Sequence, residues 1–393
     1  MSFTWNAVVD GEDIAEIVLA GASVSYGRST LFDQPAPPTA TLQLVTKDYV
    51  PSLSDRWPEF SLGDHSQTSG YVDTYADTYA GPSSRITLAA PVHLEASTAS
   101  GYVDTYEEYY TGSTLRRFTG QIVSIDYDPD IVTITAVTNT AEWSRIEVGG
   151  TDSTTPIPAE TDVARITRLV NEAGLAITID GAAGPTLNPI PIDTRPSPLM
   201  DQLRAIAVDA GGLLFSCRDG VMHYRTRNAT AYPSVEIDPG ITLVDPLRMS
   251  LDLSLVRNRI TVEYGITDEV TNLRPEITVE DTVQITKFGI RDQRFTTNIQ
   301  GLADATAHAT WLLSVLDPAW SMPDATVALT LAGDNQIDAL AGVEQGTPVT
   351  LPQLLPGSPQ PDYAAAALGY TESISSSDWQ ITYHLAPTAT FAT

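Results

Sequence analysis

Apolar residues in this chain follow two different periods, and the switch between them limits the folds open to it. From Thr119 to Tyr127 (TGQIVSIDY), Ile122, Val123, Ile125 and Tyr127 stand among polar residues. Asp128-Pro129-Asp130 can turn the chain, and Ile131 to Val137 (IVTITAV) returns in strict alternation. Such alternation buries one face of a strand and wets the other, so the segment is predicted as a β-hairpin. Ile17–Tyr26, Ala40–Val45 and Ile86–Leu94 are further short runs bounded by Gly, Pro and Asp. Many short strands with turns between them predict a barrel or a sandwich over the first 150 or so residues.

The period then lengthens. Val163, Ile166, Leu169 and Val170 fall at helical spacing, with Thr161 placed to cap and Gly174 to stop the helix. A second helix is predicted from Ser197 to Ala210, with Ser197 as cap and Pro198 at its first position. Gly211-Gly212 ends it. Leu213–Ser216 and Val221–Arg225 then form a hairpin about Arg218-Asp219-Gly220. Strand patterns resume at Arg259–Tyr264, Ile277–Ile285, Ala325–Leu331, Thr347–Leu351 and Trp379–Leu385. One helix, about 303–315, interrupts them. Residues 352–368, with four prolines and an alanine run, read as a surface loop.

Charge narrows the choice of partners. Against 49 acids stand 21 bases, a formal net charge of −28. A chain this acidic repels phosphate backbones, which argues against sequence-specific nucleic-acid binding and against anionic membrane surfaces. A weakly repulsive acidic wall around passing DNA remains compatible with it. No segment approaches the length of a membrane-spanning helix, and the N-terminal MSFTWNAVVDGEDIAEI lacks the basic start of a signal peptide. The expectation is synthesis in a host cytoplasm without secretion.

Signs of catalysis are sparse. His65, His93, His223, His308 and His384 lie far apart in sequence, so no short metal motif is present. Phosphate-binding glycine loops and nucleophile elbows are absent. Asp126, Asp128 and Asp130 imitate the start of a calcium loop, but neither the glycine nor the glutamate such a loop needs follows. The one cysteine, Cys217, sits beside Leu213, Leu214 and Phe215 and reads as a core thiol. No catalytic residue, metal or cofactor is expected.

An internal repeat stands apart. Residues 69–81 (SGYVDTYADTYAG) and 100–112 (SGYVDTYEEYYTG) match at nine of thirteen positions, 31 residues apart. Tyr71, Tyr75 and Tyr79 recur every four residues, as do Tyr102, Tyr106 and Tyr110. Rings with a polar tip beside carboxylates suit either a glycan or a subunit contact. These six tyrosines are the candidate contact residues, on exposed extensions of the first β region.

Four segments together resemble the minor tail proteins, or baseplate (tail-tip) hub family, of long-tailed phages that infect actinobacteria. They are SVSYGRSTLFDQPAPPTATLQLV (23–45), RRFTGQIVSIDYDPDIVTITAVTNTAEWSR (116–145), PLMDQLRAIAVDAGGLLFSCRDGVMHYRTR (198–227) and SLVRNRITVEYG (254–265). Within them lie the steps that carry the likeness. These are Gly27-Arg28, Phe118-x-Gly120-x-Ile122, Gly212-x-Leu214-Phe215, Asp219-Gly220 with Tyr224 and Arg227, and Val256-x-Asn258-x-Ile260. Trp379 to Leu385 resembles the end of such chains. The tyrosine repeat is not part of that pattern, and no fused lysin or receptor-binding module is expected.

The resemblance implies a mainly β protein with a small α+β portion. Two tail-tube-like β-barrel domains would be joined by a mixed helix and hairpin domain. Residues 1–150 would be the first barrel, with the tyrosine inserts. Residues 151–245 would be the α+β domain, and 246–393 the second barrel with its one helix. It also implies a homotrimer at the tail tip of the virion, closing the tube beside distal tail, other minor tail and tape-measure proteins. Host-wall glycan binding through the repeats is the alternative, and a wall-degrading enzyme ranks below both.

Overall fold

A computed structural model describes residues 3–9, 12–13, 19–27, 37–45, 91–98, 114–127, 131–150, 156–191, 194–238, 249, 256–268, 271, 273–316, 322–332, 334–352, 362–374 and 378–387. Strands β1 (Phe3–Val9), β2 (Glu12–Asp13), β3 (Leu19–Gly27), β4 (Thr39–Val45), β5 (Pro91–Thr98), β6 (Thr114–Tyr127) and β7 (Ile131–Val137) come first. Short strands follow: β8 (Glu147–Val148), β9 (Glu160–Thr161), β10 (Thr178–Asp180), β11 (Thr186–Leu187), β12 (Ser197–Pro198), β13 (Leu213–Ser216), β14 (Met222–Arg225) and β15 (Val235–Glu236). Helices α1 (Asp162–Glu172) and α2 (Leu199–Ala210) lie among them. Next come β16 (Arg259–Glu263), β17 (Glu276–Glu280) and β18 (Asp292–Thr296), with α3 (Thr282–Phe288) and α4 (Leu302–Val315). The chain ends in β19 (Asp324–Ala328), α5 (Asp334–Ala341), β20 (Pro348–Leu351), β21 (Tyr363–Ile374) and β22 (Trp379–Pro387).

The protein is mainly β, as expected. Its two ends share one sheet of twelve strands, running β15-β20-β21-β3-β4-β7-β6-β5-β1-β2, with β22 beside β21 and β19 beyond it. The seam is β21 on β3, antiparallel from Gly369 opposite Gly27 to Ile374 opposite Ala22. Among the described residues this path does not close on itself. Strand β21 is long enough to serve two neighbours in turn. Its first residues pair with β20 and its last six with β3, with a register shift between Ala367 and Gly369. Alternation along β3, β4 and β7 puts Val24, Tyr26, Leu42, Ile134 and Ala136 into one core with Trp379, Ile381 and Tyr383.

A second core fills the inner region. Ile166 and Leu169 of α1 and Leu203 of α2 meet Leu214, Tyr224, Ile260, Val262 and Leu312. The β10-β14-β13 and β17-β16-β18 sheets flank it, and α4 packs across β16 and β17. Helix α1 starts as expected: the Thr161 hydroxyl accepts from the Ala164 N–H at 3.2 Å, and Gly174 has φ +70.

Several sequence expectations are corrected. Pro198, not Ser197, caps α2, and it offers no side-chain acceptor. The Leu199 N–H instead donates to the Ile146 carbonyl at 2.7 Å, because Ser197-Pro198 pairs with Glu147-Val148. The strand expected over 277–285 stops at Glu280. Asp281 then accepts from the Val283 and Gln284 N–H groups and starts α3. The strand expected over 325–331 ends at Ala328 and passes into a 3-10 turn.

The alanine run expected in a loop is strand β21. Ala365, Ala366, Ala367 and Leu368 are each at most 1% exposed, so both faces are covered and no alternation marks them. Residues 353–361 of that expected loop lie outside the described residues. The same holds for Asp128-Pro129-Asp130, for His65 and for Tyr71, Tyr75, Tyr79, Tyr102, Tyr106 and Tyr110.

Candidate functional site

Among the described residues, two charged side chains with no exposure meet where the two ends of the chain join. Arg117 of β6 is 0% exposed and faces Glu372 of β21, also 0% exposed. Its Nε and Nη2 donate to the carboxylate at 2.9 and 2.8 Å. Its Nη1 donates to the Ala341 carbonyl at 2.6 Å, and the Tyr383 hydroxyl donates to that of Leu340 at 2.6 Å. Two carbonyls at the end of α5 are thereby satisfied, one of them by a cation that suits a helix C-terminus. The Trp379 indole N–H donates to Glu372 as well.

A second arginine ties in the inner region. Arg218, on the turn between β13 and β14, donates to the Tyr370 hydroxyl at 2.7 Å and to the Val343 carbonyl at 2.6 Å, and it pairs with Glu344 at 3.3 Å. Burial works against its charge, and the facing Tyr370 and Glu344 more than restore it. Tyr370 stacks on Tyr26 with ring centroids 5.1 Å apart. Burial raises the Tyr26 and Tyr370 hydroxyls well above the usual tyrosine range. Burial raises the Glu344 carboxyl above its usual range, against the pull of Arg218 and Arg117. The cluster's chemistry is cohesion.

The steps that carried the family resemblance are explained by packing. At Gly27 φ is +82, and a Cβ there would lie 2.5 Å from the Leu368 carbonyl oxygen and 2.6 Å from Gly369 Cα. Only glycine lets β3 approach β21 so closely. At Gly120 a Cβ would lie 2.3 Å from the Val137 carbonyl oxygen and 2.7 Å from the Phe118 ring. Gly212 makes room for the Tyr224 ring in the same way, and the Tyr224 hydroxyl donates to Asp162 at 2.7 Å. Asn258 donates to the Gly289 carbonyl at 2.7 Å and accepts from the Arg291 N–H at 2.8 Å, closing the loop after α3.

The described histidine side chains stay dispersed. His223 lies 3.2 Å from Asp180, and His384 lies 2.7 Å from Asp324 at the end of β22. His308 is buried in α4, where burial and Arg227 push its pKa down to about 3. Cys217 is half-buried and joins neither core, unlike the core thiol expected; its surroundings still raise the thiol far above its usual range, so it stays protonated. Among the described residues, no group of three or more His, Cys, Asp or Glu side chains could hold a metal ion. No helix there is long and apolar enough to cross a membrane. A shallow recess where the two cores meet is lined by Pro37, Pro38, Met200, Leu214, Phe215 and Met222, with Thr140 and Ser216. It gathers no acid, imidazole or thiol.

Sequence reasoning missed the Arg117–Glu372 pair and helix α5. Arg117 stood beside Arg116 in a strand pattern, and nothing local marks which of the two points inward. An acid flanked by Thr371 and Ser373 likewise reads as solvent-facing.

By its fold the chain is a tail-protein-like β structure over its whole length. The prophage MuSo2 43 kDa tail protein from Shewanella oneidensis superposes with a TM-score of 0.59, at 12% identity, over 99% of each chain. A tail protein from Neisseria meningitidis MC58 does so with 0.59, at 11% identity, over 100% of this chain and 98% of that one. Prophage tail protein gp18 from Listeria monocytogenes EGD-e gives 0.54 at 11% identity, over 97% and 94%. No family model and no curated protein matches the sequence.

Proposed function

We propose that this protein is a structural part of a phage tail, a baseplate-hub-type component of the tail tip rather than an enzyme. In this reading copies of the chain form a homotrimeric ring that closes the tail tube. The ring carries receptor-binding components, contacts distal tail, other minor tail and tape-measure proteins, and lets DNA pass on ejection. The tube-like barrels of the resemblance would be completed between subunits, which would also cover the edges that β2, β15 and β19 form among the described residues. The observation that carries the reading is the end-to-end fold likeness to tail proteins of nearly equal length. Labelled antibody against the chain, imaged on intact particles, tests it. Decoration at the tail tip is expected, and particles without the chain would sink the reading.

A second reading rests on the tyrosine repeat, whose nine identities in thirteen positions exceed what a linker needs. Tyr71, Tyr75, Tyr79, Tyr102, Tyr106 and Tyr110 would stack on host-wall glycan. Pull-down on purified cell wall is expected to weaken with Tyr71→Ala and Tyr102→Ala together. Unchanged retention would remove this reading and leave the first intact.

A further inference from the structure

We draw no further inference here: the strongest candidate, the exposed apolar residues at the two ends of the small β17-β16-β18 sheet (Ile266, Leu273 and Leu302 at one, Val283 and Ile290 at the other), carries nothing because nothing in the structure shows what covers them.

Discussion

The sheet built from the two chain ends and the inner region are both β-rich with apolar cores, yet they join the chain in opposite ways. In the inner region several paired elements are also neighbours in sequence, although its core also gathers more distant ones. Helix α1 packs on α2, β13 pairs with β14, and β16 with β17. In the end sheet the decisive contacts are distant. Strand β21 pairs with β3, and the Arg117–Glu372 pair spans 255 residues. Loop-closure entropy must be met before such contacts form, so local pairings are expected to form first and the end sheet last. The difference suits a part that completes its sheet only when the whole chain is present.

The sharpest way to break this comparison is to cut the chain. A fragment of residues 139–316 contains every side chain of the second core, from Trp143 to Leu312. It is expected to unfold cooperatively in urea. A fragment of residues 1–138 exposes the β3 edge and leaves Arg117 without Glu372, and no cooperative transition is expected. Circular dichroism on both decides; a cooperative N-terminal fragment would show that the ends do not depend on each other.

Next in size is the buried ion pair. Glu372→Gln leaves the Arg117 charge uncompensated at 0% exposure and is expected to cost about 3–5 kcal/mol in urea unfolding of the full chain. Arg117→Met combined with Glu372→Leu is expected to recover part of the loss, since an apolar pair carries no desolvation cost. A loss below about 1 kcal/mol for Glu372→Gln would mean that the seam is held by strand pairing alone.

The inner region has its own weak point, and it is set by pH. His308 is neutral in the folded state because burial, and Arg227 nearby, hold its pKa down to about 3. Above the unfolded pKa of about 6.5 both states are neutral and nothing is lost. Below it the unfolded chain takes a proton that the folded chain refuses, so stability falls by about 1.4 kcal/mol per pH unit until about pH 3. At pH 5 the loss is about 2 kcal/mol. His308→Gln in the 139–316 fragment is expected to flatten the pH dependence by that amount between pH 7 and 5. Parallel slopes for parent and variant would refute it.

The contrast between regions also explains what could be read from sequence. Local signals were legible: Thr161 as cap, Gly174 and Gly211 as stops, and the alternation along β7, β16 and β22. The segment from Thr119 to Tyr127 alternates less evenly than expected, for the register shifts between Ile122 and Ser124 and Val123 is 50% exposed. Signals that depend on a distant partner were illegible. Ala365, Ala366 and Ala367 of β21 look like a loop because both their faces are covered, and Arg117 and Glu372 look exposed because each hides its charge in the other. The motif glycines were visible as a pattern, but their reason lies across the fold, at Leu368 for Gly27 and at Val137 for Gly120.

The smallest effect tests whether the inner region behaves alike alone and in the whole. Thr161 caps α1, and its hydroxyl satisfies the Ala164 N–H, one of the unpaired donors of the first turn. Thr161→Ala removes that acceptor and is expected to cost about 1 kcal/mol. Thr161 also pairs with Thr186 through backbone alone, which alanine preserves. If the inner region is energetically self-contained, the loss is the same in the 139–316 fragment and in the full chain, because no strand of the end sheet reaches the cap. If the full chain loses markedly less, the Arg218 contacts to Tyr370 and Val343 are carrying stability from the end sheet into the inner region, and the two regions fold as one unit.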